Sequence, residues 1–122
     1  MRKTRRLHVA MALFTSTLLG FAAAAWTAVP VVRVVKVSAK RYEFRPASIT
    51  ISRGESLDLE LVTDDVLMGF NAPDLGVRSN IVPGQVSCLR ITPQKTGTFP
   101  FLCDVFCGSG HEDMNGSITV VD

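Results

Sequence analysis

Helical periodicity, histidine and positive charge are all scarce here, and each scarcity excludes something. Outside an apolar leader, no segment shows sustained spacing of three and four between apolar residues, so the pattern is not that of a helical domain. The chain has two His. His8 lies in the leader, which leaves His111 alone in the remainder. A metal site that needs two imidazoles cannot be assembled from it. Of thirteen Lys and Arg, four (Arg2, Lys3, Arg5 and Arg6) fall in the first six positions. The other nine face eleven acidic residues, and that balance lacks the basic face nucleic-acid binding requires. Cysteine is limited to three, an odd number, so at least one is unpaired or has another role. There is no internal repeat and no low-complexity tract. At 122 residues the chain supports one domain.

The four early cations are followed by an apolar run from Leu7 to Val32, interrupted by His8, a few Ser and Thr, and Pro30. A basic start, an apolar stretch and the small residues Ala22 to Ala25 fit a secretory signal. The run is also long enough to span a bilayer. Residues 1–30 are therefore expected to be a signal peptide or an N-terminal membrane anchor, with the positive end inside. Residues 31–122 are expected to be the exported domain, periplasmic and tethered to the cytoplasmic membrane unless the leader is cleaved. Val29 to Val32 is the expected joint.

Beyond that joint, short β-branched or alternating runs are separated by turn residues. Expected strands cover Val34 to Ser38, the alternation around Ile49 and Ile51, Leu57 to Leu61, Val66 to Ala72, Val86 to Thr92, Thr98 to Cys103, and Ser117 to Val121. Turns fall at Arg53-Gly54-Glu55, Thr63-Asp64-Asp65, Pro83-Gly84 and Thr96-Gly97. Many short strands with regular turn signals indicate a β-sandwich or barrel.

The chemistry is concentrated in Cys103-Asp-Val-Phe-Cys107-Gly-Ser-Gly-His111-Glu-Asp-Met114. Two thiols, one imidazole and one thioether within a single loop are soft or borderline ligands, a set that suits copper and especially Cu(I). Phe99, Phe101 and Cys103 alternate, which places Cys103 on the face of the two aromatics. Gly108 and Gly110 allow the tight turn that brings Cys107 back to the same centre. A mononuclear blue-copper site needs two His, one Cys and a weak axial Met, and the histidine count rules it out.

This loop resembles the dinuclear copper (CuA) motif of cytochrome c oxidase subunit II, Cys-x3-Cys-x3-His-x2-Met. Asp65-Val-Leu-Met-Gly-Phe70, Pro73-Asp-Leu-Gly-Val-Arg78, Ile81-Val-Pro-Gly84 and Thr92-Pro through Gly97-Thr-Phe-Pro-Phe101 are similar to the rest of that soluble domain. The resemblance covers about Val34 to Val121. It implies an all-β, cupredoxin-like Greek-key sandwich or barrel behind an apolar leader or anchor helix. It implies bridging thiolates from Cys103 and Cys107, His111 on one copper, Met114 on the other, and the backbone carbonyl of Val105 completing one sphere. It implies one-electron transfer in or near a respiratory chain, with a c-type cytochrome or respiratory oxidase as partner.

The family's remaining ligand is a His on the upstream strand, where this sequence has Met68. Thioethers favour Cu(I), so the centre is expected to lean toward its reduced state, with one or two coppers. The competing class is a periplasmic Cu(I) carrier, store or delivery protein. An accessory oxidase subunit that mainly makes contacts is a third. No catalytic reaction and no small-molecule substrate are inferred.

Other readings of the same residues stay open. Cys103 and Cys107 could form a disulfide in an oxidising compartment. Two Cys, His111 and one of Asp104, Glu112 or Asp113 could bind zinc. Met114 and Met68 could be packing residues. Cys88, in a strand-like run, reads as packing or as an exposed thiol outside the site. Asp64, Asp65, Asp104, Glu112 and Asp113 flank the two ligand segments, either as solvated charge or as an acidic rim that steers a basic partner.

Overall fold

Among the described residues, the β-rich expectation is met by nine strands in two packed sheets. The computed structural model describes residues 31–122, together with Gly20, residues 23–27 and Val29. The expected signal or anchor lies almost wholly outside the described residues. Among those described, no helix is long and apolar enough to cross a membrane.

The strands are β1 (Arg33–Lys40), β2 (Glu43–Arg45), β3 (Ser48–Ser52), β4 (Leu57–Thr63), β5 (Met68–Ala72), β6 (Val77–Ile81), β7 (Ser87–Ile91), β8 (Gly97–Leu102) and β9 (Asn115–Val121). The first sheet has the order β2-β1-β4-β7, and the second has β3-β9-β8-β5-β6. Pairing is antiparallel except for β1 with β4 and β3 with β9.

Alternation decides which residues face inward. Leu57, Leu59 and Leu61 are fully buried from the first sheet, while Phe70, Phe101 and Ile118 are fully buried from the second. Phe44 of β2 makes edge-on contacts with Phe70 and Phe101, at centroid distances of 5.9 and 5.2 Å. Phe70 and Phe101 lie 4.8 Å apart. This trio ties the two sheets together, with all three rings almost wholly buried.

Two sequence expectations change. Val66 and Leu67 are not strand residues; they stand 37 % and 44 % exposed before β5 begins. The Asp65 carboxylate accepts the Val66 amide at 2.9 Å, and the Thr63 hydroxyl accepts the Asp65 amide at 3.0 Å. These side chains hold the backbone in a turn that replaces the ladder. The segment through Arg78 also contains a strand. After a 3₁₀ turn at Pro73–Leu75, closed by Gly76 at φ 67°, β6 returns along β5.

Candidate metal centre

Strand β8 delivers Cys103 to one pole of the sandwich, and β9 leaves from Met114. The Cys103 amide donates to the Met114 carbonyl at 3.1 Å, which pins the neck of the intervening loop. Within the loop, the His111 amide reaches the Gly108 carbonyl, and Asp113 reaches Gly110, each at 3.2 Å. His111–Asp113 forms a 3₁₀ turn. Tyr42, from the β1–β2 turn, lies across the loop so closely that a Cβ at either Gly108 or Gly110 would collide with its ring or hydroxyl.

These constraints bring Cys103 Sγ, Cys107 Sγ and a His111 ring nitrogen within 4.8 Å of one another. Cys107 Sγ and His111 Nδ1 stand 3.9 Å apart. Both cysteines are buried and His111 is half-buried. Met114 and Met68, at 1 % and 0 % exposure, are part of the hydrophobic core of the domain, as are the two cysteines. The Cys103 thiol donates to the Val105 carbonyl at 3.3 Å, and its sulfur accepts the Gly69 amide at 3.5 Å. Burial pushes the Cys107 thiol up, and the neighbouring Cys103 pushes it further.

Two ion pairs flank the sulfurs. Arg78 of β6 makes a two-pronged contact with Asp104, at 2.6 and 3.0 Å. Arg41 holds Asp65 through its backbone amide at 3.0 Å and its guanidinium at 3.1 and 2.9 Å. Sequence reasoning singled out neither arginine, nor Tyr42, nor Gly69. Of the five flanking acids, Asp65 and Asp104 are therefore neutralised, while Asp64, Glu112 and Asp113 are exposed. The Phe106 ring, 78 % exposed, stands 5.7 Å from the imidazole. A groove of about 470 Å³, lined in part by Leu102, Cys103, His111, Glu112 and Met114, opens beside the cluster.

The alternatives fare unequally. No disulfide joins Cys103 to Cys107, and all three cysteines are free thiols. No acid joins the two thiols and the imidazole as a close fourth ligand among the described residues, and Asp104 is committed to Arg78. Cys88 is an exposed thiol on β7, paired with Glu60 of β4 in the first sheet and away from the site.

The family model of the cupredoxin-like domain matches residues 8–120, and the chain belongs to that family. Within it, the chain is homologous to the CuA-type domain of cytochrome c oxidase subunit II. Cytochrome c oxidase subunit 2 of Thermus thermophilus is 30% identical over 86 residues, which cover 70% of this chain and 64% of that protein. The alternative cytochrome c oxidase subunit 2 of Bradyrhizobium diazoefficiens is 36% identical over 67 residues, covering 55% and 24%. The chain thus spans less than two-thirds of either relative. The periplasmic domain of subunit II of cytochrome oxidase (CoxB) of Bradyrhizobium japonicum shares the fold, with a TM-score of 0.68 and 20% identity, covering 74% of this chain and 84% of that one.

Proposed function

We propose that residues 31–122 form an exported copper-binding domain whose work is one-electron transfer. Residues 1–30 deliver it across the cytoplasmic membrane and either anchor it or are removed. The observation that carries this reading is the convergence of two buried thiol sulfurs and one imidazole nitrogen within 4.8 Å. Such a donor set, backed by buried thioethers, is soft, largely shielded from water and suited to copper.

Cys103, Cys107, His111 and Met114 would hold one or two copper ions, with the Val105 carbonyl and Met68 as further donors. Bound copper would supply a couple that gains and loses one electron. The chain's own residues supply the rest. The closed loop neck and the Tyr42 contact keep the donors from rearranging between redox states. The core behind Cys103 excludes water. Exposed Phe106 packs against the imidazole and offers an apolar contact at the surface, and the exposed acids beside it favour a basic donor such as a c-type cytochrome. No catalytic step is assigned to the chain itself.

A second reading, Cu(I) carriage or delivery, is favoured by one feature: Met68 stands where the resembling family has a histidine. Metal analysis with electron paramagnetic resonance on the purified protein separates the two. A mixed-valence signal spread over two coppers supports electron transfer. A silent Cu(I) that passes readily to a chelator supports carriage. Stoichiometric zinc in place of copper would overturn both.

A further inference from the structure

We propose that Asp104, clamped by Arg78, is a positioning residue of the sulfur centre: it fixes the backbone around Cys103 and cancels the arginine charge beside that sulfur. Four observations converge on it. Asp104 follows Cys103 directly, so its side chain governs the peptide that leads to the Val105 carbonyl. Its carboxylate is gripped by both Nε and Nη2 of Arg78, at 2.6 and 3.0 Å, and that fork fixes orientation as well as distance. It lies directly over Gly69, where a Cβ would strike Oδ1 and crowd the Val105 side chain. The same Gly69 donates its amide to Cys103 Sγ at 3.5 Å. Strand β6, strand β5 and the loop therefore meet through one carboxylate, on the bare backbone of a glycine.

The pair is partly open to water, with side-chain exposures of 43% for Arg78 and 22% for Asp104. An ion pair in that setting adds little to folding stability, so its value lies in geometry and charge. The guanidinium is raised above its ordinary value chiefly by its hydrogen bond to Asp104, and in a smaller part by Cys103. Without the carboxylate, a fixed positive charge would face a thiolate ligand. A cation favours the state of a redox centre with less positive charge, and an anion favours the state with more.

The test has two arms on the full-length chain. In the first, metal-free reduced protein reacts with iodoacetamide, and labelling of each cysteine is followed by peptide mass spectrometry. Asp104→Asn and Arg78→Met are expected to raise the Cys103 rate severalfold and to leave exposed Cys88 unchanged. Parent-like Cys103 rates in both variants would overturn the positioning role. The second arm rests on the copper reading above and measures the reduction potential of loaded protein. Asp104→Asn should raise it, Arg78→Met should lower it, and the double variant should return close to the parent. Arg78→Lys keeps the charge and should rescue most of the Arg78→Met shift. Shifts of the same sign in the two single variants would overturn the charge-balancing role. If the parent retains no copper, the proposed function fails, while the alkylation arm still decides the clamp.

Discussion

The amide of Cys103 and the carbonyl of Met114, 3.1 Å apart, join the first and last residues of the candidate metal motif. The loop is thus a closed ring anchored on two strands of one sheet. Ring closure places its inner groups, Cys107 and His111, over Cys103, and Tyr42 from the β1–β2 turn braces them from outside the loop. Burial then supplies the second requirement, because only a dry pocket keeps two thiols and an imidazole facing a common point.

Replacing Cys107 with Ser removes one of the two sulfurs proposed as bridges while changing volume very little. Copper per chain, measured by metal analysis, should fall to one or less, and any mixed-valence signal should vanish. Unchanged stoichiometry would refute the bridging role.

Gly110→Ala tests the Tyr42 contact. The added methyl meets the tyrosine ring, so chemical denaturation should show a loss of about 1–3 kcal/mol, the usual cost of overpacking. In a Tyr42→Ala background the same change should cost much less. Equal costs in the two backgrounds would mean that the ring does not brace the loop.

Met68→His supplies a second imidazole at a fully buried position of the core, next to Gly69, whose amide reaches Cys103 Sγ. Stronger retention of a second copper and an altered visible spectrum are expected. If stoichiometry and absorption match the parent, Met68 is a packing residue only.

Acid should weaken the fold in a way that Asp65 helps to set. The side-chain hydrogen bond from Arg41, followed by the Arg41 backbone amide, holds the Asp65 carboxyl below its ordinary value, and partial burial opposes them. A group lowered in the folded state contributes stability above its unfolded pKa and loses it as pH falls through the folded one. Asp58, held down by Arg90, and Glu43, held down chiefly by Lys40, act in the same direction. Asp65→Asn should therefore narrow the difference in stability between neutral and acidic pH. A parent and variant separated by the same amount at every pH would contradict this assignment.

Association with a basic c-type cytochrome should slow as ionic strength rises, since the screening length shrinks from about 10 Å at 0.1 M salt to about 3 Å at 1 M. Stopped-flow rates for the parent and for a variant lacking the Asp64, Glu112 and Asp113 charges would measure it. Rates that stay flat with salt remove the steering role from these exposed acids.

The parts of this molecule that were legible in its sequence are those encoded over short range. All four side chains of the motif fall within twelve consecutive residues, and Leu57 to Leu61 alternates so regularly that its inward face is evident. Strand β6 was hidden because Arg78, Ser79 and Asn80 give it a polar centre at the rim of its sheet. Strand β2 is three residues long and contributes one buried ring, Phe44. Val66 and Leu67 look like strand residues, but the preceding Asp65 takes the amide that a ladder would use. Arg78 and Asp104 lie 26 residues apart, and no periodicity links a strand cation to a loop acid. Pairing of that kind emerges only when the topology sets β6 beside β5.

Parallel pairing of β1 with β4 gives the domain a direction. Arg33, where β1 starts, is tied to Glu55 and Thr50, while the far end of the strand leads to Tyr42 against the loop glycines. Seven residue steps of extended chain, roughly 23 Å, separate Arg33 from Lys40 at the far end of β1. Asp122 also returns to the starting pole, bonded to Arg53 at 2.6 Å. Both tails of the folded unit therefore leave from the pole opposite the sulfur cluster. Anything that fastens them to a surface holds the candidate metal face outward, toward whatever diffuses past.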